Sequence, residues 1–148
     1  NNTKPLTEIG RLLYEEMLVI SSDIVIFNND AEFLMIPIPI TTNRRVERGY
    51  NQSEYIAKAI LENDVERNFV YAPQFLTKIK ETNRQSHSAS KEERILNIKH
   101  SFFADERVLD KYIFLVDDVT TTGSTLLEAR DTLLLKGAKD VFAFTIAH

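Results

Sequence analysis

The chain has 148 residues, of which 43% are hydrophobic, and its 18 basic and 22 acidic side chains leave a formal net charge of -4. That length and apolar content suit a single domain with its own core, and the acidic balance argues against direct nucleic-acid binding. With no cysteine there are no disulfides and no thiolate metal sites, which fits a reducing compartment.

No apolar run approaches the roughly 20 residues of a membrane-spanning helix, so a cytoplasmic location without membrane contact is expected. The chain opens on Asn1-Asn2-Thr3 rather than Met, as a fragment or an excised piece would. Leu6, Ile9, Leu13, Met17 and Ile20 recur at steps of three and four, which predicts an amphipathic helix from about Leu6 to Val19. Ile24 to Phe27, followed by Asn28-Asn29-Asp30, reads equally as a short strand with a turn or as a helix end.

Phe33 to Ile36 reads as a buried strand, and Pro37 and Pro39 withhold ladder donors, so the strand leaves the sheet there. A loop from Thr41 to Tyr50 follows, carrying Arg44, Arg45 and Arg48 around Glu47 and Gly49. Guanidinium forks suit phosphate oxygens, while the plainer reading of the same loop is a solvated turn with local Glu–Arg pairing. Asn51 to Glu54 opens a helix with Ser53 as a plausible cap and Ile56, Ala59 and Ile60 on its buried face.

After Pro73, the stretch Gln74 to Lys80 alternates loosely, as a strand with one wetter face would. Glu81 to Ser90 holds almost no apolar residue and reads as a long loop, either a linker or a lid. His87 within it reads better as an exposed loop histidine than as a catalytic group. Lys91 to Arg94 starts a short helix with Ile95, Leu96 and Ile98, and Phe102-Phe103 returns to the core.

Tyr112 to Val116 is apolar without alternation, the pattern of a strand buried on both faces of a parallel sheet. Two carboxylates, Asp117 and Asp118, come next, then the hydroxyl-rich turn Thr120, Thr121, Thr122, Gly123, Ser124, Thr125. Helical spacing begins at Ser124 with Leu126, Leu127, Leu133 and Leu134 and stops at Gly137. Val141 to Ile146 then supplies the strand that completes a right-handed βαβ crossover.

A helix N-terminus with unpaired N–H groups and small neighbours can cradle a phosphate, and two acceptor-only carboxylates beside it suit a partner bringing hydroxyls or a metal. A sugar phosphate has both parts. A P-loop is excluded because Ser124 and Thr125, not Lys, follow Gly123; a dinucleotide fingerprint is excluded because the four glycines, Gly10, Gly49, Gly123 and Gly137, are far apart. A phosphorelay receiver is excluded because its acid pair sits on the first strand, and only Val119 to His148 remain after Asp118.

The run Phe114 to Thr125 resembles the phosphoribosyl pyrophosphate (PRPP) signature of type I phosphoribosyltransferases: apolar strand, acid pair, Thr/Gly/Ser/Thr loop. Further matches narrow the likeness to the ComF/GntX-like competence-associated family. These are Pro37-Ile38-Pro39, Arg44-Arg45, the octapeptide Glu47-Arg48-Gly49-Tyr50-Asn51-Gln52-Ser53-Glu54, then Thr82 and Gln85, and Glu93, Arg94 and Asn97. Together they span about Phe33 to Ile146.

The resemblance implies a type I phosphoribosyltransferase fold, an α/β architecture with a mostly parallel sheet flanked by helices and an N-terminal helix and hood in residues 1–30. It implies that Asp117 and Asp118 serve as catalytic residues holding the ribose hydroxyls, and that Thr120, Thr121, Thr122, Gly123, Ser124 and Thr125 complete the ribose 5-phosphate site. Arg44, Arg45, Arg48 and Gly49 would face pyrophosphate, and Lys78, Lys80, Thr82, Arg84 and Gln85 would belong to a flexible loop. Mg²⁺ would arrive with PRPP and meet Asp117 and Asp118 through ligand or water.

The implied reaction transfers phosphoribosyl to a nitrogenous acceptor and releases pyrophosphate; the alternative is a non-catalytic PRPP sensor or a partner-binding scaffold in DNA uptake or processing. Expected partners are proteins of DNA uptake and a second copy of the chain. Two departures qualify the likeness. Lys78 and Lys80 stand where the family carries arginines, losing the bidentate fork. The family's Cys-rich zinc segment is also absent, so no zinc role is expected in this chain.

Overall fold

The computed structural model describes residues 3–80, 100–119 and 123–147. Helix α1 spans Thr3–Phe27 and strand β1 Phe33–Pro37; α2 (Thr42–Arg48) and α3 (Gln52–Leu61) follow. Three short strands come next, β2 (Phe69–Tyr71), β3 (Leu76–Lys78) and β4 (Phe102–Ala104), with one-turn 3-10 helices at Pro73–Phe75 and Glu106–Val108. The chain continues through β5 (Tyr112–Val119) and helix α4 (Ser124–Leu135) and finishes on β6 (Asp140–Ala147).

The main sheet has the order β2-β1-β5-β6, and every pairing in it is parallel. β1 lies in the middle, and its five residues are all buried, as expected of a strand covered on both faces. On one face Met35, Phe69, Phe114, Val116 and Phe144 meet Tyr14 and Met17 of α1 and Ile56, Ala57 and Ile60 of α3. On the other, Leu34, Ile36, Ile113, Leu115 and Val141 pack with Leu126, Ala129 and Leu133 of α4 and with Leu76 and Phe102 of the antiparallel β3-β4 ribbon. The result is the expected α/β architecture, a parallel sheet between helical layers.

α1 and α3 cross closely because Gly10 lacks a side chain: a Cβ there would lie 2.6 Å from the backbone oxygen of Ala59. α1 also runs eight residues past the predicted end at Val19. No Gly or Pro interrupts Ile20 to Phe27, Ile24 packs on the core, and the Asn28 N–H donates to the Ile24 carbonyl at 2.9 Å. The ambiguous stretch Ile24–Phe27 is therefore a helix end.

Other boundaries also move. The stretch expected as an open loop after β1 contains α2, capped by the Thr41 hydroxyl, which accepts from Arg44 N–H, and closed by Gly49 at φ 77°. Gln74 to Lys80 divides into a 3-10 turn and β3, and the short strand β2 lies outside every predicted element. Phe102 is buried but Phe103 is 55% exposed, because successive strand side chains face opposite ways. On the 3.6-residue repeat of α4, Leu126 and Leu133 share the buried face while Leu127 faces solvent. The polar stretch Glu81 to Ser90 and the helix expected from Lys91 lie outside the described residues, so Thr82, Arg84, Gln85, His87, Glu93, Arg94 and Asn97 do too.

Candidate functional site

β1 and β5 are neighbours in the sheet although three strands separate them in sequence; from β1 the chain departs toward β2, and from β5 toward β6. The order therefore reverses between β1 and β5, and the crevice beyond their carboxyl ends is where an open parallel sheet binds ligands. The register aligns Pro37 with Val116, so the chain that leaves β1 after Pro37 and the carboxyl end of β5 from Asp117 lie at the same edge of the sheet. The Ile38 N–H donates to the Val116 carbonyl at 2.8 Å, one residue beyond β1, and Pro39 ends the pairing for want of a donor.

Asp117 and Asp118 belong to the last turn of pleat in β5 rather than to a loop after it, since Asp117 pairs with Thr145 and Val119 with Ala147 of β6. Asp117 is 9% exposed, and its Oδ1 accepts from the Asp118 N–H at 2.9 Å and from the Ser53 hydroxyl at 3.1 Å. Burial is the main influence on its carboxyl and pushes the pKa up to about 6; the Asp118 N–H works in the opposite direction, the Asp118 side chain raises it further, and the Ser53 hydroxyl lowers it. Asp118 is half-buried.

Beyond β5, Gly123 takes φ 75° at the position before α4, a left-handed turn that a side chain would strain. Its carbonyl accepts the Leu127 N–H at 2.9 Å, which closes the first turn of α4. Ser124 and Thr125 are half-buried in that turn. Thr120, Thr121 and Thr122 lie outside the described residues.

On the β1 side the cap of α3 is Asn51, not Ser53. Asn51 is extended at φ -119°, and its side-chain oxygen accepts the Ser53 N–H at 3.1 Å while its Nδ2 donates to the Ile38 carbonyl at 3.0 Å. Ser53 is thereby released from capping and turned inward to Asp117. Sequence reading missed this partnership because 64 residues separate the two side chains, and because Asn and Ser are about equally good caps, so the sequence did not say which of Asn51 and Ser53 would serve.

The basic residues have separate places. Arg45 forms a bidentate pair with Glu54, at 2.7 and 2.9 Å, which clasps α2 to α3. Arg44 is half-buried, and Arg48 and Gly49 are exposed at the end of α2. Tyr50 and Tyr55 stand beside them with ring centroids 6.0 Å apart. Lys78 lies in β3 with its ammonium 5.7 Å from the Phe102 ring, and Lys80 is exposed just beyond that strand.

Among the described residues, no group of three or more His, Asp or Glu side chains could hold a metal ion. Two neighbouring carboxylates, one half-buried, do suit Mg²⁺ that keeps water and substrate phosphate in its shell. No helix among the described residues is long and apolar enough to cross a membrane.

No family model matches the chain. It is 29% identical over 133 residues to the DNA utilization protein YhgH of Salmonella typhimurium, covering 90% of this chain and 56% of that protein. It is 32% identical over 117 residues to the competence protein ComFC of Streptococcus pneumoniae, covering 79% of this chain and 49% of that one. The Bacillus subtilis competence protein ComFC is likewise 32% identical, over 118 residues, 79% of this chain and 45% of that protein. The chain spans about half the length of these curated relatives. Over that half, with the parallel sheet and the acid pair at its switch point in place, the chain belongs to the ComF-like family.

Proposed function

We propose that this domain binds Mg²⁺-PRPP at the β1/β5 switch point and transfers its phosphoribosyl group to a nitrogen nucleophile, within a cytoplasmic protein serving competence or DNA utilisation. The observation that carries the reading is the placement of Asp117 and Asp118 at the carboxyl end of β5, just before the left-handed Gly123 and the start of α4. Carboxylates accept from sugar hydroxyls, and the helix start beyond them offers N–H groups to the 5-phosphate. The competence and DNA-utilisation context comes from the names of the relatives.

In this reading Asp118, the more accessible carboxylate, meets the ribose hydroxyls together with Asp117, and fixes the sugar so that its anomeric carbon faces the acceptor. Negative charge held beside the sugar favours the positive charge that develops on it as the bond to pyrophosphate breaks and the bond to nitrogen forms. Arg44 and Arg48, on the neighbouring α2, are the basic groups nearest in sequence to the pyrophosphate side. Mg²⁺ held by the diphosphate and approached by Asp117 and Asp118 through water would neutralise charge on the leaving group. Arg45, committed to Glu54, serves the framework of this wall rather than the ligand.

A second reading, binding without turnover as a PRPP sensor, is favoured by Lys78, whose single ammonium rests near the Phe102 ring where the family carries a guanidinium fork. Calorimetric titration of Mg²⁺-PRPP into the wild type and the Asp117→Asn/Asp118→Asn double variant tests both. Binding is expected for the wild type and not for the variant, and release of pyrophosphate on adding candidate bases separates enzyme from sensor. A folded wild type that takes up no PRPP rejects the two readings together.

A further inference from the structure

The hydroxyl of Ser53 is spent in an unusual place for the second residue of a helix. The cap of α3 is already supplied by Asn51, whose side-chain oxygen accepts the Ser53 N–H at 3.1 Å, so the Ser53 hydroxyl is not needed there. Ser53 is 3% exposed, and its hydroxyl donates across the switch point to Asp117 Oδ1 at 3.1 Å. That contact closes a ring of hydrogen bonds between the ends of the two strands. Ile38 N–H donates to Val116, Asn51 Nδ2 to Ile38, Ser53 N–H to Asn51, and the Ser53 hydroxyl to Asp117, the residue after Val116.

We infer that Ser53 is a positioning residue for the acid pair, orienting the Asp117 carboxylate and tying it to the start of α3 on the other wall of the crevice. The inference rests on the PRPP reading of that crevice. Two donors, Ser53 and the Asp118 N–H, occupy Oδ1 and fix the plane of the carboxylate, so a ligand hydroxyl is left to Oδ2. Without the serine hydroxyl, Asp117 keeps one anchor from its own strand and can turn about its side-chain bonds. Misplacement of a group that holds the sugar weakens binding although no ligand contact is removed.

The test compares the wild type with Ser53→Ala and Ser53→Thr by calorimetric titration of Mg²⁺-PRPP, thermal unfolding, and the amide resonance of Asp118 in the ligand-free proteins. Ser53→Ala is expected to weaken binding roughly tenfold, the lower end of what losing an orienting partner costs, and to move the Asp118 resonance. Its melting temperature should stay close to that of the wild type, because Asn51 still caps the helix, and Ser53→Thr should restore affinity by restoring a hydroxyl. Wild-type affinity in Ser53→Ala overturns the inference, as does a loss of affinity that merely follows a large drop in melting temperature and is not restored by threonine. If the wild type itself binds no PRPP, the PRPP reading fails by that result alone. The Asp118 resonance then decides for Ser53: unmoved in Ser53→Ala, it overturns the positioning role, and moved, it retains it.

Discussion

The backbone N–H of Asp118 donates to the side chain of Asp117 at 2.9 Å, so of two adjacent carboxylates one is turned back onto the strand that carries it. Burial at that position raises the Asp117 carboxyl to about 6, from an ordinary value of 3.8. Between those values the folded chain holds a proton that the unfolded chain has lost, so stability falls as pH rises from about 4 to about 6 and stays lower above. That difference corresponds to about 3 kcal/mol at most.

Asp117→Asn therefore separates stability from function. The neutral amide keeps an oxygen to accept from Ser53 and Asp118, carries no buried charge, and should raise the melting temperature at pH 7.5 by several degrees, about 2–4 °C per kcal/mol. It should also flatten the decline between pH 4 and 6 while lowering PRPP affinity. Unfolding curves across pH 4 to 8 check it; a variant less stable than the wild type at pH 7.5 would contradict the burial argument.

At the α1–α3 crossing, Gly10→Ala should destabilise the fold. Alanine gains about 1 kcal/mol of helix propensity, but its methyl would meet the Ala59 carbonyl, which is backbone and cannot rotate away. A net loss of about 1–2 kcal/mol is expected from overpacking, read as a lower urea midpoint with an unchanged slope. An unchanged or higher midpoint would contradict this, since it would mean that the crossing yields at no more than the propensity gained.

The Arg45–Glu54 pair gives a coupling prediction. The glutamate side chain is 20% exposed and the fork is bidentate, so a double-mutant cycle with Ala at both positions should show about 1 kcal/mol, the upper end for surface pairs. Arg45→Lys should lose most of it, because an ammonium cannot make both bonds. Glu54→Ala should leave PRPP affinity no weaker, since it frees a guanidinium beside the crevice. A large loss of affinity in Glu54→Ala would instead give the glutamate a part in the site.

Far from the crevice, Asp64 ties the start of β2 to α1. It is 7% exposed and accepts from the Tyr14 hydroxyl at 2.8 Å and from the N–H groups of Asn68 and Phe69 at 3.0 and 2.9 Å. Tyr14→Phe should cost about 1–2 kcal/mol, and Asp64→Ala more, because it strands buried backbone donors. Denaturant titration measures both, and PRPP affinity in Tyr14→Phe should match the wild type.

Much of this protein was legible in its residues. The apolar runs Phe33 to Ile36 and Tyr112 to Val116, with no alternation, specify strands covered on both faces, and they form the centre of the sheet. The two acids ahead of Gly123 and a helical repeat marked the candidate site, because composition and order along one short segment are enough to define a strand, a turn and a helix start. Local chemistry was less decisive where two signals competed. Pro37 and Pro39 suggested a strand end opening into a loop, yet Thr41 and Gly49 are the two caps of a helix, and Ile24 to Phe27 carried strand-forming side chains into a helix that the core holds.

What the tertiary structure alone decided is which distant groups meet. The order β2-β1-β5-β6 sets Pro37 against Val116, and only that register brings Asn51 to Ile38 and Ser53 to Asp117. A strand's hydrophobicity shows that it is buried but not which strand lies beside it. Hydrogen bonds between side chains 64 residues apart leave no periodic mark in the sequence, because their geometry depends on the packing of every element between them.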